Sequence, residues 1–223
     1  MTNTRLRMLL SLGLLGSLFM YAGDMLLYGE PWMAELTEEN VLAAMRRMSG
    51  LRLVAGGALG PFAVIFYCAG FYGVSRLVHD EYPKQRIAVF VLFSSGIIFG
   101  GAYHSHFPHL AFVAPDQLDT FTAMNDYIEF LTNCAIVPWL AANILFLYLM
   151  LRGRTFCSRY VALATPLMMT AVYFPILYLP PPFFVFLAGG WGNLPFTIFF
   201  AGCLAGMRPL RRAARQENAV TDL

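Results

Sequence analysis

Residues 87–106 read IAVFVLFSSGIIFGGAYHSH, twenty positions with no acid, lysine or arginine. At ~1.5 Å rise per residue, such a run crosses the ~30 Å hydrocarbon core of a bilayer as a helix. Lys84 and Arg86 stand just before it, and His104, His106 and His109 crowd its far end, three of only four histidines in the chain. Five more segments share its character, at about 6–28, 53–78, 130–151, 160–179 and 183–207. Charged residues are 13% of 223 positions and apolar residues 58%, with a mean hydropathy of +0.60. A soluble domain carries roughly a quarter charged residues. Backbone groups inside lipid must be satisfied within their own segment, and these runs are too long for barrel strands. The reading is all-α: a polytopic membrane protein with a six-helix transmembrane bundle over residues 1–212 and a polar tail at 213–223.

Basic residues orient the segments. Arg5 and Arg7, then Arg76, Lys84 and Arg86, then Arg152, Arg154 and Arg159, and finally Arg208, Arg211, Arg212 and Arg215 account for 12 of 15. They fall at alternate ends of successive segments, so both termini are expected in the cytoplasm of a cell whose inner membrane holds the protein. The first apolar run follows Arg5 and Arg7 without a convincing small-x-small cleavage site, so it reads as a retained span. Cys68, Cys134, Cys157 and Cys203 are scattered singly and read as small core hydrophobes.

Between the first two segments, Thr37-Glu38-Glu39-Asn40 reads as a helix start, followed by Val41, Leu42, Met45 and Met48 at helical spacing. A short amphipathic helix is expected over 37–48, lying on the outer surface or covering a cavity. Gly56-x-x-x-Gly60, Gly96-x-x-x-Gly100 and Gly202-x-x-x-Gly206 predict close helix contacts. Pro61, Pro138, Pro166 and Pro175 fall within the segments and predict kinks there.

Counting outward from the basic anchors places Asp24, His104, Glu129, Asn133 and Asn193 near the outer boundary, with His106 and His109 at its edge. Asp119, Thr122, Asp126, Glu129 and Asn133 follow a 3-4-3-4 spacing, a polar stripe descending into the membrane. A polar cavity open to the outside is therefore expected. Asp24, His104, Glu129, Asn133 and Asn193 would line it, with Asp126, His106, His109 and the interface aromatic Trp191 as further ligand contacts. Were there catalysis, His104 would act as acid or base beside Asp24 and Glu129.

The histidines do not form a metal motif with a defined mechanism. His104 and His106 point about 160° apart on a helix, and Pro108 disfavours helical geometry between His106 and His109. The group superficially resembles that of the alkaline ceramidase class of membrane hydrolases. Those have seven spans and an H-x-x-x-H, against six spans and H-S-H-F-P-H here, so no role is carried over. No cofactor is expected, although an ion near His104 would find suitable ligand types. The expected partners are membrane lipids and a lipid-like or small amphiphilic ligand, and no nucleic acid. A small-molecule or proton-coupled transporter and a non-catalytic scaffold or sensor are the alternatives, and the sequence leaves open whether the protein is an enzyme.

Overall fold

The computed structural model describes residues 1–33, 35–114 and 116–208. The expected polar tail at 213–223, with Arg211, Arg212 and Arg215, lies outside them. Every regular element among the described residues is helical: α1 Asn3–Tyr28, α2 Glu38–Arg47, α3 Gly50–Arg76, α4 Pro83–His106, α5 Leu118–Leu151, α6 Pro166–Ile176, α7 Phe183–Ala188 and α8 Leu194–Gly206.

Local chemistry starts and stops these helices. Thr2, Thr37 and Ser49 accept from the backbone N–H of Arg5, Asn40 and Arg52, capping α1, α2 and α3. Glu38 and Glu39 open α2 and Arg46 and Arg47 close it, each sign matching the helix dipole. Arg52 reaches from α3 to the last turn of α1, where it donates to the carbonyls of Leu26 at 2.8 Å and Met25 at 3.1 Å. α4 begins on Pro83 and ends at His106, where Pro108 tightens the chain into a 3-10 turn, Phe107–Ala111.

Four helices are long and apolar enough to cross a membrane: α1, α3, the run Pro83–Ala111, and α5. The fifth and sixth expected segments hold shorter apolar helices instead. The fifth segment divides into a 3-10 turn, Arg159–Ala164, and α6, because Pro166 forces Thr165 into an extended conformation (φ −65°, ψ 143°). The sixth divides into α7 and α8 around Gly189, Gly190 and Gly192, with Pro195 in the first turn of α8. Pro61 and Pro138 do lie inside continuous helices. α5 starts well before residue 130 and carries the whole 119–133 stripe on one helix.

The helices close a ring in the order α1, α3, α4, α5, α6, α8, with α8 back against α1. Glycines set the tightest contacts. A β-carbon at Gly70 of α3 would collide with Gly13 Cα of α1, and one at Gly16 would stand 2.9 Å from the Tyr67 nitrogen. Gly96 admits α5, with Trp139 and the Ala135 carbonyl 3.2 Å from its would-be β-carbon. Inside the ring Phe71 stacks on Phe93 at 4.6 Å, and Tyr67, Phe146, Phe199 and Phe200 complete a buried aromatic core. Outside it, Val54, Phe62, Ile65, Val91, Ile98, Val137, Ile144 and Phe174 are exposed, an apolar flank suited to lipid.

The two ends of the ring differ. At the basic end, residues 154–158 run between the ends of α3 and α8: Phe156 donates to Leu77 O and accepts from Arg208 N, both at 2.7 Å. Asp80 accepts a hydrogen bond from Arg86, which holds its carboxyl below the ordinary carboxylate range. At the other end α2 crosses the bundle. Ala44 joins the cluster of α6 and α7, Met45 packs with Leu27 and Leu53, and Leu42 packs with Leu110 and Ile128.

The glycine contact is testable. Gly70→Ala is expected to lower stability by about 1–3 kcal/mol, the range for overpacking. Gly50→Ala, where nothing lies within 4 Å of the added carbon, should change it by less than about 0.5 kcal/mol. Unfolding of both variants in detergent measures the difference. Because the folded Asp80 carboxyl titrates below its unfolded value, the contribution of its contact with Arg86 should be complete above about pH 4 and fade as pH falls further.

Candidate functional site

One stripe of α1 builds the polar end of the bundle. Tyr21, Asp24 and Tyr28 recur at 3-4 spacing and so share a face. The Tyr21 hydroxyl donates to Phe186 O at 3.1 Å and the Tyr28 hydroxyl to Gly189 O at 2.9 Å, so both tie α7 to α1. Between them Asp24, only 5% exposed, meets the chain where α8 begins. Asn193, the residue preceding α8, donates through Nδ2 to Asp24 Oδ2 at 2.8 Å. Its own Oδ1 accepts from the Tyr67 hydroxyl at 2.9 Å.

His104 completes the group from α4. Its Nε2 lies 3.2 Å from Asp24 Oδ1, and its ring is 4% exposed. Two glycines make room for it: added β-carbons would stand 2.7 Å from His104 Cε1 at Gly23 and 3.0 Å from His104 Nδ1 at Gly60. Neither imidazole nitrogen makes a well-aligned hydrogen bond, and Nδ1 faces the Gly60 wall with no partner. Four helices thus meet through one chain of side chains: Tyr67, Asn193, Asp24, His104.

Asn193, Asp24 and His104 of this chain form part of the wall of a cavity of about 430 Å³. Tyr28, Tyr103, Trp139, Trp191 and Phe196 supply aromatic walls. Gly100 also lines it, and a β-carbon there would have only Ile97 Cδ1 nearby, at 3.9 Å. The lining passes from the buried Asp24, His104 and Asn193 to the exposed Ile136 of α5 and Thr170 of α6. The opening therefore faces sideways, between α5 and α6. Chemically the site offers a carboxylate oriented by an amide, an imidazole with a free nitrogen, and an apolar chamber.

Of the residues singled out in the sequence, Asp24, His104, Asn193 and Trp191 are brought together at the cavity. The others are not. Glu129, Asn133 and Asp126 are exposed and do not line it. The reason is the rotation of α5: at this height Ile128 and Leu131 face the bundle. Glu129 lies about 100° and 160° from them, and Asn133 about 140° and 160°. His106 and His109 are exposed, their rings 5.7 Å apart, with His106 edge-on to Tyr127. Among the described residues, no three His, Cys, Asp or Glu side chains converge as a metal site.

Tyr67 was missed by the sequence reading, although it carried a signal. Membrane tyrosines favour the interfaces, and this one sits in the middle of its span with a hydroxyl that needs a partner. Tyr67→Phe should cost about 1 kcal/mol, and Asn193→Leu more, since it strands both the Tyr67 hydroxyl and Asp24 Oδ2. The double variant should cost less than the sum of the two, as read from unfolding midpoints of all three proteins.

No curated protein and no solved structure matches the chain. One family model does, over residues 1–209, which leaves residues 210–223 uncovered. With nearly the whole length matched, the chain belongs to the family of unknown function DUF6796.

Proposed function

We propose that this is a multi-pass inner-membrane protein that binds a lipid-like or small amphiphilic molecule in the cavity beside Asp24 and His104. Both termini lie in the cytoplasm, and the broken fifth and sixth segments cross the membrane as helical pairs. The cavity then sits toward the outer face, where α2 covers the end of the bundle. The lateral opening carries this reading. Its rim includes the exposed Ile136, with Val137 and Leu140 exposed alongside, so an apolar chain reaches the chamber from lipid while a polar head meets Asp24, His104 and Asn193. The volume falls in the range of small-molecule sites, about 300–1,000 Å³. The buried aromatic core around Phe71, Phe93 and Phe199 fills the bundle on the basic side, which favours binding over a path through the membrane.

Gly100→Phe tests the reading without touching the polar group, since the new ring would project into the chamber. A photoactivatable alkyl probe in lipid nanodiscs should label residues 135–139 and 166–170 of the wild-type protein. Labelling should fall at least tenfold in Gly100→Phe at an unchanged unfolding midpoint. Equal labelling of both proteins would refute the cavity as a binding site.

A further inference from the structure

The chemistry of the wall says which head group the cavity takes. The described residues that line it include one acid, one imidazole and no lysine or arginine. Asp24 offers roughly four acceptor positions on its two oxygens. Asn193 fills one, and the His104 contact lies along another at 3.2 Å. The Tyr28 hydroxyl, which donates to Gly189 O, also stands beside the carboxylate, and the rest of the acceptor capacity lies at the buried end of an apolar chamber. His104 presents Nε2 to the carboxylate, and its Nδ1 faces the Gly60 wall with no partner. Asp24 is the acid at the buried end, and no lysine or arginine among the described lining residues faces it.

The side walls point the same way. Tyr28, Tyr103, Trp139, Trp191 and Phe196 surround the approach to Asp24, and aromatic rings attract a cation through the negative potential of their faces. An anionic head would meet the carboxylate with no cation to offset it. A hydroxyl head would use a single acceptor position of the carboxylate and gain nothing from the ring faces.

Resting on the ligand-binding reading above, we propose that the cavity selects an amphiphile with a cationic head, an alkylamine or quaternary ammonium. The head sits against Asp24 among the aromatic rings, and the apolar body extends toward the opening between Ile136 and Thr170.

The experiment compares three probes of equal chain length, dodecyltrimethylammonium, dodecanol and dodecanoate, against the full-length protein in zwitterionic nanodiscs. The fluorescence of Trp139 and Trp191, both in the cavity wall, reports binding. The ammonium probe is expected to bind at least tenfold more tightly than the alcohol, with dodecanoate weakest. Asp24→Asn should reduce that preference to less than threefold, and Gly100→Phe should abolish the response to every probe. The comparison within the wild-type protein holds even if Asp24→Asn does not fold. Equal binding of ammonium and alcohol, both blocked by Gly100→Phe, would overturn the cationic head and leave the cavity reading standing. Tightest binding of dodecanoate would overturn it as well, since it requires a net positive site. Responses unaffected by Gly100→Phe would overturn both readings.

Discussion

A carboxylate carried into an apolar bundle must find its donors there, because lipid supplies none. Asp24 finds an amide from the start of α8 and an imidazole from α4, and the amide is held in turn by a hydroxyl from α3. Each of these groups would be costly to bury alone, by about 1–3 kcal/mol for a stranded donor or acceptor. Together they make one polar chain that specifies how four helices approach. A shift of α8 along α1 would separate Asn193 from Asp24, and a rotation of α4 would withdraw His104. The weak member is His104: its Nε2 meets Asp24 at 3.2 Å without a well-aligned hydrogen bond, and its Nδ1 is buried and unpartnered. Its neighbour there is the Gly60 wall, so the group is matched on the α1 side of the ring and open on the other.

The approach that lets these side chains meet depends on what α1 and α3 lack. Gly13, Gly16 and Gly23 on one helix and Gly56, Gly60 and Gly70 on the other leave no β-carbons where the backbones or the His104 ring pass. Helix association in lipid gains little from burying apolar surface, so close backbone packing has to supply much of it. The same glycines therefore serve two purposes: they hold the first pair of helices together and create the slot for the imidazole. Below that slot the rings of Tyr67, Phe71, Phe93 and Phe200 fill the space that the glycines leave.

Much of this was legible in the chain, for reasons that also explain the errors. Long uncharged runs are a one-dimensional signal; α1, α3 and α4 follow them closely, and α5 extends its run by twelve residues at the start. Hydropathy does not register backbone geometry. The apolar stretches at 160–179 and 183–207 therefore read as spans, although Pro166, the Pro180-Pro181-Pro182 run and the glycines near 190 divide them. Depth was equally readable, because counting from basic anchors brought Asp24, His104 and Asn193 to one layer. Rotation was not. The 3-4 spacing of Asp119 to Asn133 defines a face of α5 but not its direction, which Ile128 and Leu131 set by packing inward. Tyr67 escaped notice because it pairs with a residue 126 positions away.

The breaks in the last two segments need the stripe on α1 as much as the stripe needs them. Non-helical backbone inside an apolar bundle survives only where protein satisfies the groups it frees. Between α7 and α8 the freed carbonyls of Phe186 and Gly189 accept from Tyr21 and Tyr28, and the Asn193 side chain turns from capping α8 to pairing with Asp24. Gly190 packs on the Tyr21 ring so closely that a β-carbon would collide with it. A continuous sixth helix would carry its own hydrogen bonds and leave Asp24 facing an apolar surface. The interruption instead delivers an amide to the carboxylate and places Trp191 and Gly192 in the cavity wall. The short α6 leaves the flank beside α5 open at Ile136 and Thr170. Broken helices, buried acid and lateral opening are thus parts of one arrangement, in which Tyr21, Asp24 and Tyr28 compensate for lost helix regularity and the lost regularity makes the chamber.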